Sequence, residues 1–472
     1  MLTDISFVAD GQPWPPVDAD EATRLKEHAF MRQIYNGLHE KVFPRYITYL
    51  ADAPKDSKKQ KIILDWPELA TDSYLNLLLG EEPEIVAGSR NDLPTLPTDQ
   101  AFIDVSRYGI GLFEVSDDGI QALNPENCYI VVTPGNIQKQ QAFVFFHTWK
   151  ETEVQNGKEK EIEYIKFTIH QPGTIQHLVY LISPGSGLTN SEKKLNGPLR
   201  LADFPGYANL KVDADGYQYP PVEDMLVVAI QNKLSSERYY GQSDYKPSIL
   251  SLIESLELLF AQRAEVLAKF TSPVPIVPES ATVFNHSTQE WEYKAGQAII
   301  TKPGDPSPSL MVWQAELGAV DRAIEQSMDQ LLQMLQLSRV LLAGQGQGTA
   351  ESGTALRIRL IPTLSKVSKY ARAAEKAIPA VLHLWSQLHP PEILVEDIEV
   401  KLKDGIPDDP MEEANVNNIR ATALATLKTV GIIGRRGALQ MAFDSGLFKP
   451  LAGLDVEQSI DQLLSESLDE MI

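Results

Sequence analysis

A single cysteine, Cys128, is all that 472 residues contain, so no intramolecular disulfide can form. That fits a chain made in a reducing cytoplasm. No stretch approaches the roughly 18 consecutive apolar residues of a membrane span, so no transmembrane helix and no membrane partner are expected. The first residues, MLTDISFVADGQPWPP, lack the basic start and apolar core of a signal peptide. Positive charge is scarce too: 42 Lys and Arg stand against 64 Asp and Glu, a formal net charge of −22. A protein that grips DNA along its length neutralises phosphates with a basic face. The composition excludes that in bulk, but suits a weakly repulsive wall past which a polyanion slides.

Motifs that carry chemistry are missing as well. The eight histidines (His28, His39, His147, His170, His177, His286, His383 and His389) are scattered, and no pair sits with a carboxylate at metal-ligand spacing. Asp213-Ala214-Asp215-Gly216 hints at a calcium loop, but an EF-hand register would put Lys211 at the first ligand position, so a hairpin turn is the better reading. There is no G-x-S-x-G and no Cys/His pairing to provide a nucleophile. Gly344-Gln345-Gly346-Gln347-Gly348 lacks the G-K-[ST] ending of a phosphate loop and follows an expected helix rather than a strand. No catalytic, cofactor-binding or metal residue is therefore expected.

What is present is ordinary globular material, 43% hydrophobic and 22% charged. The length implies two to four substructures, and the pattern predicts an α+β chain that is mainly helical. Residues 20–48 and 61–80 read as helices, the second with Pro67 near its start and Gly80 as its stop. Residues 85–98 read as loop. From 101 to about 182 short strands are expected, punctuated by Asp118-Gly119, Asn156-Gly157 and Pro172-Gly173; such turns between apolar runs predict an antiparallel meander. Residues 183–220 read as a turn-rich loop with a further turn at Asp215-Gly216.

Residues 246–270 predict a long helix, with Ile249, Leu252, Ile253, Leu256, Leu259 and Phe260 at helical spacing and Pro247 in the first turn. Its length is roughly 37 Å at the α-helical rise. A second helix is expected over 316–343, with Leu317, Val320, Ile324, Met328, Leu331 and Leu335 on one face. Between them lies a proline-rich segment with short β-like runs, too long for a mere connection. Residues 344–353 form a flexible break. A third helix, 354–388, is expected to kink or split at Pro362 and Pro379. It is followed by a strand (IEVKLKDG) and, over 411–472, by three short helices with Gly431, Gly437 and Gly446 near their boundaries. The last of these presents Val456, Ile460, Leu464 and Leu468 on one face.

Within 354–388 six bases, Arg357, Arg359, Lys366, Lys369, Arg372 and Lys376, face a single acid, Glu375. On a helical wheel Arg359, Lys366, Lys369 and Lys376 share one broad face. That face is either solvated, or salt-bridged to an acidic neighbouring subunit, or in contact with DNA phosphates.

The order of these pieces resembles the portal protein family of tailed bacteriophages, the head-to-tail connectors, and in particular its SPP1-like branch. Tyr35-Asn36-Gly37-Leu38-His39 is similar to the family's Y-x-G stretch after its first helix. Asn76-Leu77-Leu78-Leu79-Gly80-Glu81-Glu82-Pro83 resembles its Leu-Gly-x-x-Pro turn. Gly241-Gln242-Ser243-Asp244 resembles the G-x-S-D before the first stem helix, and Ser352-Gly353-Thr354-Ala355-Leu356 the S-G-x-A-L that opens the long helix after the tunnel loop. Thr429-Val430-Gly431-Ile432-Ile433 is similar to a late turn element; the family often has Ser next, where this chain has Gly434-Arg435.

The resemblance covers nearly the whole chain. It implies a portal fold: a wing (1–245), a stem of two helices (246–271 and 315–343), a clip inserted between them (272–314), a tunnel loop (344–353), a kinked wing helix and strand (354–410) and a crown (411–472). It implies a structural, non-enzymatic protein without cofactors. Twelve copies would form a ring in the virion, at one capsid vertex, after assembly in the host cytoplasm. The expected partners are further copies of the chain, the large terminase subunit, the head-tail adaptor, the major capsid and scaffolding proteins, and double-stranded DNA passing through the channel. The tunnel-loop residues expected to face DNA are Gly344, Gln345, Gly346, Gln347, Gly348, Thr349, Ala350, Glu351, Ser352 and Gly353. Residues 244–343 hold 12 acids and 7 bases, a difference of −5, which suits a wall that lets DNA slide. The competing readings are a metal-dependent nucleic-acid enzyme, for which no convincing carboxylate set is found, and a monomeric helical adaptor.

Overall fold

The structure is a computed structural model. It describes the chain apart from residues 1, 53–58, 89, 91, 156–157, 185–192, 235–237, 271–273, 277–282, 286–289, 293–308, 312–316, 343–352, 403–409, 446, 449–454 and 470–472, and over some further stretches, including the strands between 271 and 316, it describes backbone alone. The described chain is α+β and divides into two compact units, Met1–Leu342 with Pro362–Gly405, and Ala343–Ile361 with Ile406–Ile472.

The first unit opens with β1 (Pro13–Trp14) and α1 (Ala19–Tyr35), whose first turn is capped by the Asp18 carboxylate accepting from the Glu21 N–H at 2.9 Å. The single helix expected over 20–48 is three. Gly37 takes a left-handed φ of +67° and ends the first. After α2 (His39–Val42), Pro44 opens α3 (Pro44–Ala51), the position where a missing N–H costs nothing. α4 (Trp66–Leu79) follows, and β2 (Glu84–Ala87) lies where loop was expected. A second correction comes at 98–108, expected in part as strand, which is α5 (Thr98–Tyr108). Ala101, Phe102, Val105 and Tyr108 recur at helical spacing and are buried, and Gly109 at φ +86° caps the end by donating its N–H to the Val105 carbonyl.

Then come β3 (Ile110–Ser116), β4 (Gly119–Leu123), β5 (Cys128–Thr133), β6 (Asn136–Gln155), β7 (Lys158–Gln171), β8 (Thr174–Pro184), β9 (Lys193–Leu199), β10 (Tyr217–Gln218) and β11 (Val227–Gln231). The meander up to β8 is as expected, though β6 and β7 are long rather than short, and β9 and β10 lie where a turn-rich loop was expected: one sheet runs β1-β9-β8-β7-β6-β5, with β10 on β8, and a second runs β11-β3-β4. Gln171 pairs Thr174 around Pro172-Gly173, and Gln155 pairs Lys158 around Asn156-Gly157, which lie outside the described residues. The Asp215-Gly216 turn is also as expected. The Asp213 carboxylate is taken up by the backbone N–H groups of Asp215 and Tyr217, so it forms a turn and not a cation loop.

Both faces of the large sheet are covered. Tyr129, Val131, Val144, Ile165, Phe167 and Ile169 point to one side and pack with Trp14 and Phe7. Their alternates Cys128, Ile130, Val132 and Phe143 point to the other and pack on Ile110, Leu112 and Val227 of the smaller sheet. A strand buried on both faces carries no polar alternation, which is why YIVV reads as one apolar run. Filling such a core with Phe167, fully buried, stabilises the fold by about 3 kcal/mol or more relative to alanine.

The chain continues with α6 (Pro247–Phe270), β12 (Val274–Ile276), β13 (Val283–Asn285), β14 (Glu290–Glu292), β15 (Ser309–Met311), α7 (Leu317–Leu335), α8 (Gly353–Leu388) and β16 (Ile398–Lys401). α7 stops at Leu335, short of the expected 343, because Gln336 takes a left-handed φ of +58°. β16 pairs with β2. Backbone assignment runs through Pro362 and Pro379, so α8 is one helix rather than two, and its first residues, up to Ile361, cluster with the second unit.

That second unit contains α9 (Pro410–Thr429), α10 (Arg435–Asp444) and α11 (Val456–Asp469), three helices as expected, the first of them 20 residues long. Gly431 at φ +79° turns the chain after α9. Arg420 bonds the Ser445 carbonyl at 2.9 Å and Arg436 reaches Asp461 on α11 at 3.2 Å. Ile460 on the expected apolar face is buried, together with Ala442 and Phe443.

Candidate functional site

The most distinctive construction in the first unit is the helix pair α6–α7 and its root. Ile249, Ile253 and Leu256 are buried along one side of α6, and Ile324, Leu331 and Leu335 along one side of α7. Arg263, well along α6, pairs with Asp321 near the start of α7 at 2.5 Å. Tyr245, just before α6, bonds Thr71 of α4 at 2.5 Å, and Tyr74 of α4 bonds the Leu335 carbonyl at the end of α7. The start of α6 and the end of α7 therefore both meet α4, and the two helices run in opposite directions. Between them β12 pairs with β15 and β13 with β14, two small antiparallel ribbons in the segment expected to be a β insertion.

The root is held by the Gly241-Gln242-Ser243-Asp244 segment. A Cβ on Gly241 would lie 2.2 Å from the carbonyl oxygens of both Asn232 and Gly109, so only glycine fits this approach of three chain segments. Asp244, buried, is the acceptor of a hub: Lys366 and Tyr370 of α8 donate to it, as do Lys233 at 2.8 Å, Asn232 Nδ2 at 2.9 Å and Ser106 of α5 at 3.2 Å. Burial alone would raise the Asp244 carboxyl, but the charges of Lys366 and Lys233 hold it below its usual value. Burial likewise brings the Lys366 amine down to about 8, with Asp244 opposing, so both groups stay charged near neutrality.

A second buried pair fastens α6 laterally. His39 donates from Nδ1 to Glu257 at 2.5 Å and from Nε2 to the Ile34 carbonyl at 2.8 Å. Both ring nitrogens face acceptors, so both carry protons. Burial pushes His39 down, yet Glu257 outweighs it and raises the imidazole above its ordinary value. The same Glu257 oxygen accepts from the Leu64 N–H at 2.9 Å, and Glu254 one turn earlier accepts from Arg45 Nε at 2.9 Å.

The expected site residues fall into three groups. Gly344 to Ser352 lie outside the described residues, and Gly353 opens α8. Lys369 and Lys376 are exposed on α8, as is Arg372; Arg359 is exposed as well, in the part of α8 that belongs to the second unit. Lys366 does not join that face. It is only 3% exposed and spent on Asp244, because its neighbours Thr363, Val367 and Tyr370 are all buried. The sequence signal was available, since Lys366 sits beside Val367 and Tyr370 rather than opposite them. Its partner Asp244 appeared only as the last letter of a resemblance, 122 residues away, with nothing to announce the contact.

No group of three His, Cys, Asp or Glu among the described residues could hold a metal ion. A cleft of 740 Å³ beside the start of α6 is lined by Arg24, Arg107 and His28 among others. Both guanidiniums are already engaged, Arg24 by Glu21 at 2.8 Å and Arg107 by Asp104 at 2.7 Å. Burial and those two arginines drive the His28 imidazole far below its ordinary value, so it stays neutral. The sole cysteine is fully buried, which pushes its thiol up and leaves no reactive thiolate. No known protein family's model and no curated protein matches the chain.

Proposed function

We propose that the chain is a portal subunit of a tailed bacteriophage. One observation carries the reading. Segments on which the resemblance rests, far apart in sequence, meet at the base of the α6–α7 pair. Asp244 begins the hub, His39 clamps Glu257 of α6, and Tyr35 stacks under Arg107 of α5 with its centroid 5.4 Å from the guanidinium. A pair of oppositely directed helices carrying a β insertion at their far end, rooted by buried charges, is the construction a stem and clip require.

In this reading α6 and α7 form the stem, the ribbons between 272 and 314 form the clip, residues 344–353 form the tunnel loop, and 411–472 form the crown. Twelve subunits close into a ring at one vertex of the capsid. The ring passes double-stranded DNA during packaging, retention and ejection. The clip docks the large terminase subunit during packaging and the head-tail adaptor afterwards, while capsid and scaffolding proteins surround the wing. The protein neither hydrolyses ATP nor grips duplex. Its role is to hold a channel open, and an overall charge of −22 fits that role by not attracting phosphate. The test is location. Gold-labelled antibody against the chain marks one vertex of each DNA-filled head; labelling of every vertex, or of none, contradicts the proposal.

A further inference from the structure

Chains that each carry a net charge of −22 repel one another, so side-by-side association needs local charge complementarity where they touch. On α8 the surface departs from the acidic average. Lys369, Arg372 and Lys376 are all exposed, at i, i+3 and i+7, and so lie in one stripe about 10 Å long at the helical rise. Glu375 is the one acid between residues 353 and 388. Ser365, Ser368 and that Glu375 make up the rest of the exposed surface on that side, which keeps an excess of two positive charges.

Several other cations of the unit are ion-paired within the chain, while others, such as Lys26, Lys139 and Lys211, are exposed and scattered rather than aligned on one helix face. Arg24, Arg45, Arg90 and Arg107 each bond a carboxylate, and Lys366 on the buried side of the same helix is spent on Asp244. Among the described residues Lys369, Arg372 and Lys376 have no ion-pair partner; Arg372 bonds only the Ser368 carbonyl of its own helix, at 3.3 Å. Like charges one turn apart destabilise a helix unless something compensates them. Glu375, three residues after Arg372, offsets one of the three charges and leaves the other two without an opposite charge on the helix.

We infer that the Lys369–Arg372–Lys376 stripe is a docking surface for an acidic face of a second copy of this chain. The inference rests on the ring reading above and names the surface on which neighbours engage. A copy bearing −22 supplies carboxylates in excess, and one unpaired cationic stripe per subunit meeting an acidic face of the next gives a head-to-tail contact that repeats and can close. Duplex DNA is the weaker fit, since three cations per chain sit against a field of opposite sign from the rest of the molecule.

The experiment compares the full chain with the triple variant Lys369→Glu, Arg372→Glu, Lys376→Glu by sedimentation velocity over a range of protein and salt concentrations. All three side chains are exposed, so thermal melts of the two should coincide; if the reversed chain fails to fold, the triple glutamine variant takes its place. The expected result is assembly of the wild type at low salt, weakening as salt rises, and at least a tenfold higher concentration needed by the variant. Equal assembly of both at every salt concentration overturns the inference and leaves the ring reading intact. Equal assembly together with a loss of duplex binding, measured by fluorescence anisotropy on a labelled 30-base-pair DNA, assigns the stripe to phosphate instead and also overturns it. A wild type that stays monomeric throughout contradicts the ring reading, and the inference with it.

Discussion

At the residue scale, Asp244 decides how the stem joins the rest of its unit. It is 4% exposed and gathers donors from α5, the loop after β11 and α8. Asp244→Ala leaves Lys366 charged and buried without its partner, a loss of about 3–5 kcal/mol. Asp244→Leu combined with Lys366→Met recovers part of that, since it removes the buried ammonium with its partner, while Lys233, Tyr370, Asn232 and Ser106 still lose their acceptor. Urea unfolding of the three proteins checks this, and a double variant no more stable than Asp244→Ala contradicts the hub as described. The carboxyl is held below its unfolded value, so its contribution is present above about pH 4 and disappears as pH falls through the depressed folded value. Gly241→Ala should destabilise by about 1–3 kcal/mol, because backbone oxygens rather than movable side chains meet the new methyl.

His39 behaves in the opposite sense. Its folded value is raised above the ordinary 6.5, so its stabilisation is complete below about pH 6.5 and is lost as pH rises through the folded value. Melting temperatures of wild type and His39→Gln should differ most near pH 6 and converge towards pH 9. A gap that is constant or widens with pH contradicts the charged pair with Glu257.

At the scale of elements, helices and strands were legible where periodicity was long and both ends were marked. α6, with Pro247 in its first turn and apolar residues every three or four positions, was read to within a residue or two. The meander followed from its turn dipeptides, because Gly and Pro have few other uses between apolar runs. α5 was missed because Ala101, Phe102, Val105 and Tyr108 merge into the strand residues that follow, and only Gly109 separates them. The two breaks in the first helix were hidden because Gly37 and Pro44 sit inside an otherwise amphipathic run. The long-range pairs of the root, Asp244 with Lys366 and His39 with Glu257, leave no local trace, since nothing in either segment's period requires the other.

The elements with functional predictions are the insertion and the loop after α7. Charge or bulk changes between 272 and 314 should leave ring assembly intact and block packaging or head completion; loss of rings alone would make this segment an assembly element. Gly346→Pro with Gly348→Pro should likewise spare rings but impair packaging or retention of DNA. Gln345→Lys with Gln347→Lys should slow translocation, more so at low salt, by adding phosphate grips around the ring. Normal packaging rates in both loop variants would reduce residues 344–353 to a linker.

At the scale of the whole molecule, the proposed role suits a chain with a net charge of −22. In a portal subunit, as proposed, a slippery channel wall would account for the negative charge and a contact between copies for the three exposed α8 cations. Intrinsic ATPase activity, or nanomolar duplex affinity that survives high salt, would be inconsistent with both. The direct measurement is electron microscopy of the purified full-length chain, with native mass spectrometry of the same sample. The account predicts end-on views of closed rings with an open axial channel and a mass twelve times that of the chain; monomers alone, across protein and salt concentrations, would contradict it.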